Sequence, residues 1–170
     1  IHQSTLEKAI FLPHVAQIRN PRLLAALQRE VIKQGGVIKE YCEVSRINLK
    51  NKSVVSISTT NGNYSADGYI ITAGAWSRKI LGEYALNLNI IPIQGQMLLY
   101  KFQAPPIPSI LLQKELYLIP RLDGHLLIGS TMEDVGFNKQ ITKATYEKLY
   151  KKASRLLPEI ETKYLIKHWA

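Results

Sequence analysis

The side chains that most often carry chemistry are few and scattered in this 170-residue sequence. The four histidines, His2, His14, His125 and His168, have no metal-ligand spacing, and the single cysteine, Cys42, has no partner cysteine. There is no G-x-G-x-x-G, no P-loop and no G-x-S-x-G elbow. One stretch does have residue types that could seat a ligand: Thr72-Ala73-Gly74-Ala75-Trp76-Ser77. The apolar run Tyr69-Ile70-Ile71 ends there, and side chains nearly vanish. Small residues let the flat or charged parts of a ligand approach the backbone. A helix that follows can aim free N–H groups at a phosphate. Tight strand-to-helix packing needs the same small residues and is the plain alternative. A second position is Tyr117, in the period-2 run Leu116-Tyr117-Leu118-Ile119. A strand tyrosine can bury its ring and offer one hydroxyl, or it can simply pack.

The elements that must position these residues follow from pattern. Asn20-Pro21 opens a helix, Leu23, Leu24, Leu27 and Val31 recur at helical spacing, and Gly35-Gly36 closes it. "GVIKEYCEV" (36–44) reads as a strand. "SVVSISTT" and "NYSADGYIITA" flank Asn61-Gly62, a strong hairpin signal. Tyr69 to Ala73 reads as a strand covered on both faces, which belongs in a parallel sheet; ligands bind such sheets beyond the carboxyl ends of the strands. Arg78 to Tyr84 reads as a short helix. The texture changes after Gly82. Strands are expected over about 88–102, 115–120 and 125–132, the last two joined at Asp123-Gly124. A helix is expected over about 142–157, ended by Pro158, then a last strand in "KYLIKHW". The positive charge is densest from Lys139 to Arg155, on the polar side of that helix, and reads as a solvated basic face.

Composition sets the outer limits. Hydrophobic residues make up 46%, enough for a core, and charged residues 21%. Lys plus Arg number 22 against 13 Asp plus Glu, a net +9. That balance admits nucleic acid, a membrane surface or acidic ligands, but the charge is not in a block. A lone cysteine suits a reducing compartment, so the cytoplasm is expected. The sequons at Asn51 and Asn63 are taken as incidental, and no apolar run approaches the roughly 18 residues of a membrane helix. The chain opens on Ile1 and stops after Trp169-Ala170, and reads as a piece of a longer protein.

Several segments, in order, resemble one family: "QIRNPRLLAAL", "TAGAWS", "PIQGQMLLY", "LYLIPRLDGHLLIGSTMEDVGF", "LLP" and "HWA". Together they are similar to the amino-acid oxidase family of flavoenzymes, and to its glycine-oxidising branch in particular. The resemblance implies an α/β plus α+β fold. Part of an FAD-binding Rossmann-like domain (17–85) is followed by a mostly antiparallel substrate-binding sheet with one long helix (86–170). Residues 1–16 are left unassigned.

The resemblance also implies that Ala73, Gly74 and Trp76 lie near FAD and that the Val44 backbone meets its adenine end. Tyr117 is implied to bind a substrate carboxylate through its hydroxyl, and Met132 to line the substrate pocket. Gln94 sits where relatives often carry a basic residue. The implied chemistry is oxidation of a small amino acid or amine: hydride leaves the substrate carbon for the flavin, the imine hydrolyses, and O₂ returns the flavin to its oxidised state as peroxide forms. No side-chain base is required if the amine binds neutral, so no catalytic residue and no metal is assigned. FAD is expected in the full-length protein and not on this piece, because the family's glycine-rich turn lies upstream of it.

Other readings stay open. One is the oxidase domain of a bifunctional tRNA-modifying enzyme, the only reading here that brings in nucleic acid. Another is a D-amino acid dehydrogenase, and a third, of a different class, is a non-catalytic basic binding module. No membrane partner is expected, and a homo-oligomer is left open.

Overall fold

The computed structural model describes residues 8–85 and 87–170. His2, the start of the 1–16 segment and Leu86 fall outside the described residues. Two compact units part between Pro92 and Ile93: Ile18–Pro92, and Ile93–Ala170 together with the segment up to Gln17.

In the first unit, α1 spans Asn20–Lys33 with Pro21 in its first turn and Arg19 at the N-cap position. It ends where Gly35 takes φ 83°, a left-handed conformation that glycine adopts without steric cost. Leu23, Leu24, Leu27 and Val31 form the expected stripe, yet each is at least 42% exposed. Next comes an antiparallel meander of β1 (Val44–Lys50), β2 (Ser53–Thr59) and β3 (Gly62–Tyr64). The β2–β3 turn is the hairpin that Asn61-Gly62 signals. The β1–β2 turn is Asn51-Lys52, both residues at positive φ, 52° and 63°. That is the pattern of a tight primed hairpin turn, so the first sequon sits in a turn that its residue types alone do not signal.

Two expected strands are corrected here. The first begins only at Val44, not at residue 36 or 37. Tyr69–Ala73 is not a strand, and Ile70 is 89% exposed. A strand exists through its ladder. The first run turns at Glu40-Tyr41, where Tyr41 takes φ 53°, so its ladder with β2 starts only at Val44. Tyr69–Ala73 pairs with no described strand. After Ala73 a 3₁₀ turn, Gly74–Trp76, leads into α2 (Ser77–Leu81) and a second 3₁₀ turn, Gly82–Ala85.

The second unit is a five-stranded antiparallel sheet of order β5-β6-β7-β4-β8, built from β4 (Met97–Lys101), β5 (Leu111–Gln113), β6 (Leu116–Pro120), β7 (His125–Gly129) and β8 (Leu165–Trp169). Helix α3 (Lys143–Leu156) covers one face. Thr142 caps it, its hydroxyl accepting from the Thr145 N–H at 3.2 Å. Leu98, Tyr100, Leu116, Leu118, Leu126 and Ile128 point into the core with Leu149, Ala153 and Leu156 of α3. Lys148, Lys151, Lys152 and Arg155 stay on its exposed side, as the basic face predicted. The strand expected over 88–102 is shorter, because Pro92 cannot donate to a ladder and Gln94 makes only an isolated bridge to Glu133. With antiparallel sheets and three α-helices among the described residues, the chain has the mixed fold class expected from sequence.

Candidate functional site

In the first unit, Val44 opens β1, and α2 lies against β1. The Ala73–Trp76 turn feeds α2, so it leads into an element that packs on the strand Val44 opens. Gly74 has φ +53°, and a Cβ added there would meet no described atom within 4 Å. Packing against the described residues thus does not explain why position 74 carries no side chain. The residue is glycine because of its left-handed backbone, and the main chain around it is open to a flat ligand. Trp76 is partly exposed beside it. The accessible main chain at Gly74, with no described side chain over it, leaves room for a flat cofactor such as a flavin.

In the second unit, strand alternation puts Met97, Leu99, Tyr117, Ile119, Leu127 and Gly129 on the sheet face opposite α3. Tyr117 is half-buried there. Its hydroxyl donates to the Met97 Sδ at 3.9 Å, its one partner among the described residues. A thioether is a weak acceptor, so the phenolic proton is held loosely and is available to a stronger one. Met132 follows on the connection after β7 and is 82% exposed.

Sequence reading passes over a buried polar cluster on the α3 side of the sheet. Gln96 is fully buried. Its Nε2 donates to the Glu133 carboxylate at 3.2 and 3.4 Å and to Gln94 Oε1 at 3.4 Å. Its Oε1 accepts from the Thr142 backbone N–H at 3.3 Å and lies 2.9 Å from His168 Nε2. Because the Thr142 N–H can only donate, that atom is the oxygen, and His168 must carry its proton on Nε2. Burial also pushes the His168 pKa below its usual value. Gln94, at the position where relatives often carry a basic residue, donates from its side-chain amide to the carbonyls of Asn138 and Gln140 at 2.9 and 3.1 Å. The cluster ties β4, β8 and the start of α3 to the segment that carries Met132. Its signal is in the sequence: Gln94, Gln96, Leu98 and Tyr100 alternate along one strand face, so the two glutamines have to share the core side.

Among the described residues no cluster of His, Cys, Asp or Glu could hold a metal ion, and no helix is long and apolar enough to cross a membrane. Two surface hollows, of about 260 Å³ and 340 Å³, lie between the β5–β6 turn and α3 and beside α1, and neither includes a candidate residue.

Known proteins are similar to this chain in sequence and in fold. The family described as FAD dependent oxidoreductase matches residues 2–170. Glycine oxidase of Pseudomonas putida is 38% identical over 163 residues, 95% of this chain and 45% of that protein. Glycine oxidase of Pseudomonas aeruginosa is 38% identical over 165 residues, 96% and 45% respectively. The crystal structure of glycine oxidase from Geobacillus kaustophilus superposes with a TM-score of 0.80 at 26% identity, covering 88% of this chain and 40% of that one. The chain spans less than half the length of these relatives.

Proposed function

The chain belongs to the FAD dependent oxidoreductase family, and from that premise we propose that the whole protein oxidises the amine of glycine or another small amino acid, with O₂ as electron acceptor. FAD, when bound, accepts the hydride from the substrate carbon. This chain's part is to hold and orient. Val44, Ala73, Gly74 and Trp76 are assigned to the cofactor, in a partial FAD-binding domain of about 17–85. Tyr117 and Met132 are assigned to the substrate, in a domain of about 86–170.

The observation that carries the reading is the Tyr117 hydroxyl. It stands on an apolar sheet face, and among the described residues its partner is a thioether. A carboxylate placed there would gain a charge-assisted hydrogen bond, and fixing the carboxylate fixes the carbon that is oxidised. With no catalytic side chain assigned, the amine is oxidised in its neutral form. A cysteine that makes no disulfide suits the cytoplasm.

The test is a peroxide assay on the full-length protein with glycine, sarcosine and D-amino acids. Peroxide formed in step with substrate loss supports the reading. Substrate oxidation that needs an added electron acceptor and gives no peroxide replaces oxidase by dehydrogenase, and no oxidation of any of them removes the amine-oxidation reading.

A further inference from the structure

The register of the five-stranded sheet places Tyr117 in a row that crosses every strand. Tyr117 of β6 stands opposite Leu112 of β5 on one side and Gly129 of β7 on the other. Met97 of β4 stands opposite Trp169 of β8. The β4–β7 ladder pairs Leu98 with Ile128, so its next step brings Met97 opposite Gly129. Gly129 is the one gap in this row of large side chains. A Cβ built on it would lie 3.1 Å from the Tyr117 Oη and 3.2 Å from both Cε and Cγ of Met97. Carbon atoms in good contact sit about 3.5–4.0 Å apart, so one added methyl would have to displace the hydroxyl, the thioether or both. The phenol therefore reclines across β7, ends over the glycine, and rests against Met97.

We infer that Gly129 and Met97 are positioning residues for the Tyr117 hydroxyl: the glycine leaves the space into which the phenol lies, and the methionine props its far end. The inference rests on the reading of Tyr117 as the carboxylate ligand. A hydroxyl moved by a few tenths of an ångström still packs well but meets a carboxylate at the wrong distance and angle, and hydrogen bonds weaken steeply with misalignment. The pair thus acts on substrate binding through Tyr117, with no contact to the reacting atoms.

The experiment is a double-mutant cycle in the full-length flavoprotein, with glycine as the substrate. Gly129→Ala should lower kcat/KM by about tenfold, mainly through KM, with flavin content unchanged. Added to Tyr117→Phe it should cost less than about twofold more, since the hydroxyl it would displace is gone. If Gly129→Ala does not accumulate as folded flavoprotein, the methionine reads the same geometry: Met97→Leu should stay near wild type and Met97→Ala should raise KM. An impaired Tyr117→Phe beside a Gly129→Ala with wild-type kcat/KM overturns this inference alone. So does a Gly129→Ala loss that persists in full when combined with Tyr117→Phe, or an unchanged KM in Met97→Ala. Wild-type kinetics in Tyr117→Phe overturn the carboxylate reading itself, and this inference with it.

Discussion

Single residues here act through where one proton or one hydroxyl sits. Tyr117→Phe in the full-length protein removes a hydroxyl and almost no volume. A hydrogen bond to a charged partner is worth roughly 1.5–3 kcal/mol, so kcat/KM should fall about tenfold to a hundredfold while flavin absorbance per protein stays constant. Equal loss of flavin and rate would place the residue in the fold rather than the site. His168 makes a different prediction, because burial lowers its pKa in the folded chain. The folded state then binds fewer protons than the unfolded chain as pH drops below the free imidazole value of about 6.5. Stability from this group is full above that pH and falls as pH decreases toward the lower folded pKa. Thermal melts between pH 7.5 and 5 should show a steeper loss in wild type than in His168→Gln, and parallel curves would show that the imidazole does not titrate differently on folding. The alternation Gln94-Gln96-Leu98-Tyr100 marks one face in the sequence, but which face is buried, and that His168 joins the glutamines there, follows only from the register of β4 with β8.

At the scale of elements, legibility followed ladder partners. The strands around Leu116–Pro120, His125–Gly129 and Leu165–Trp169 and the helix Lys143–Leu156 were readable because their neighbours lie in the same chain. β5 is not legible, being three residues after a Pro-rich loop. The run 69–73 has the composition of a doubly covered strand, but composition states what a segment needs, not whether its neighbours are present. The turn that follows it was legible as unusual and illegible as to cause. Its glycine at φ +53° with nothing within 4 Å of a built Cβ separates two explanations. Asn tolerates the left-handed region better than most residues, so Gly74→Asn should cost the fold about 1 kcal/mol or less while filling space above the turn. In the full-length protein its flavin content should drop well beyond what its Tm shift accounts for. Flavin loss that merely tracks the fraction unfolded would return the turn to a structural role.

For the whole molecule, the decisive feature is apolar surface without a partner. Leu23, Leu24, Leu27 and Val31 give α1 a stripe fit for a core, and among the described residues α1 has no buried position. Burying one such side chain is worth roughly 1.5–3 kcal/mol, so a stripe of four is a strong drive to find a cover. The chain also spans 45% of the Pseudomonas glycine oxidases, and it has no glycine-rich phosphate-binding turn. Expressed alone, these 170 residues should therefore bind FAD weakly at best and should self-associate through α1. Size-exclusion chromatography and the flavin absorbance of the purified chain check both. Replacing Leu24 and Leu27 together by Gln should shift the chain toward monomer without unfolding the five-stranded sheet, since α1 belongs to the other compact unit. A monomeric wild-type chain carrying stoichiometric flavin would mean that α1 needs no cover and that the residues around Gly74 hold the cofactor unaided.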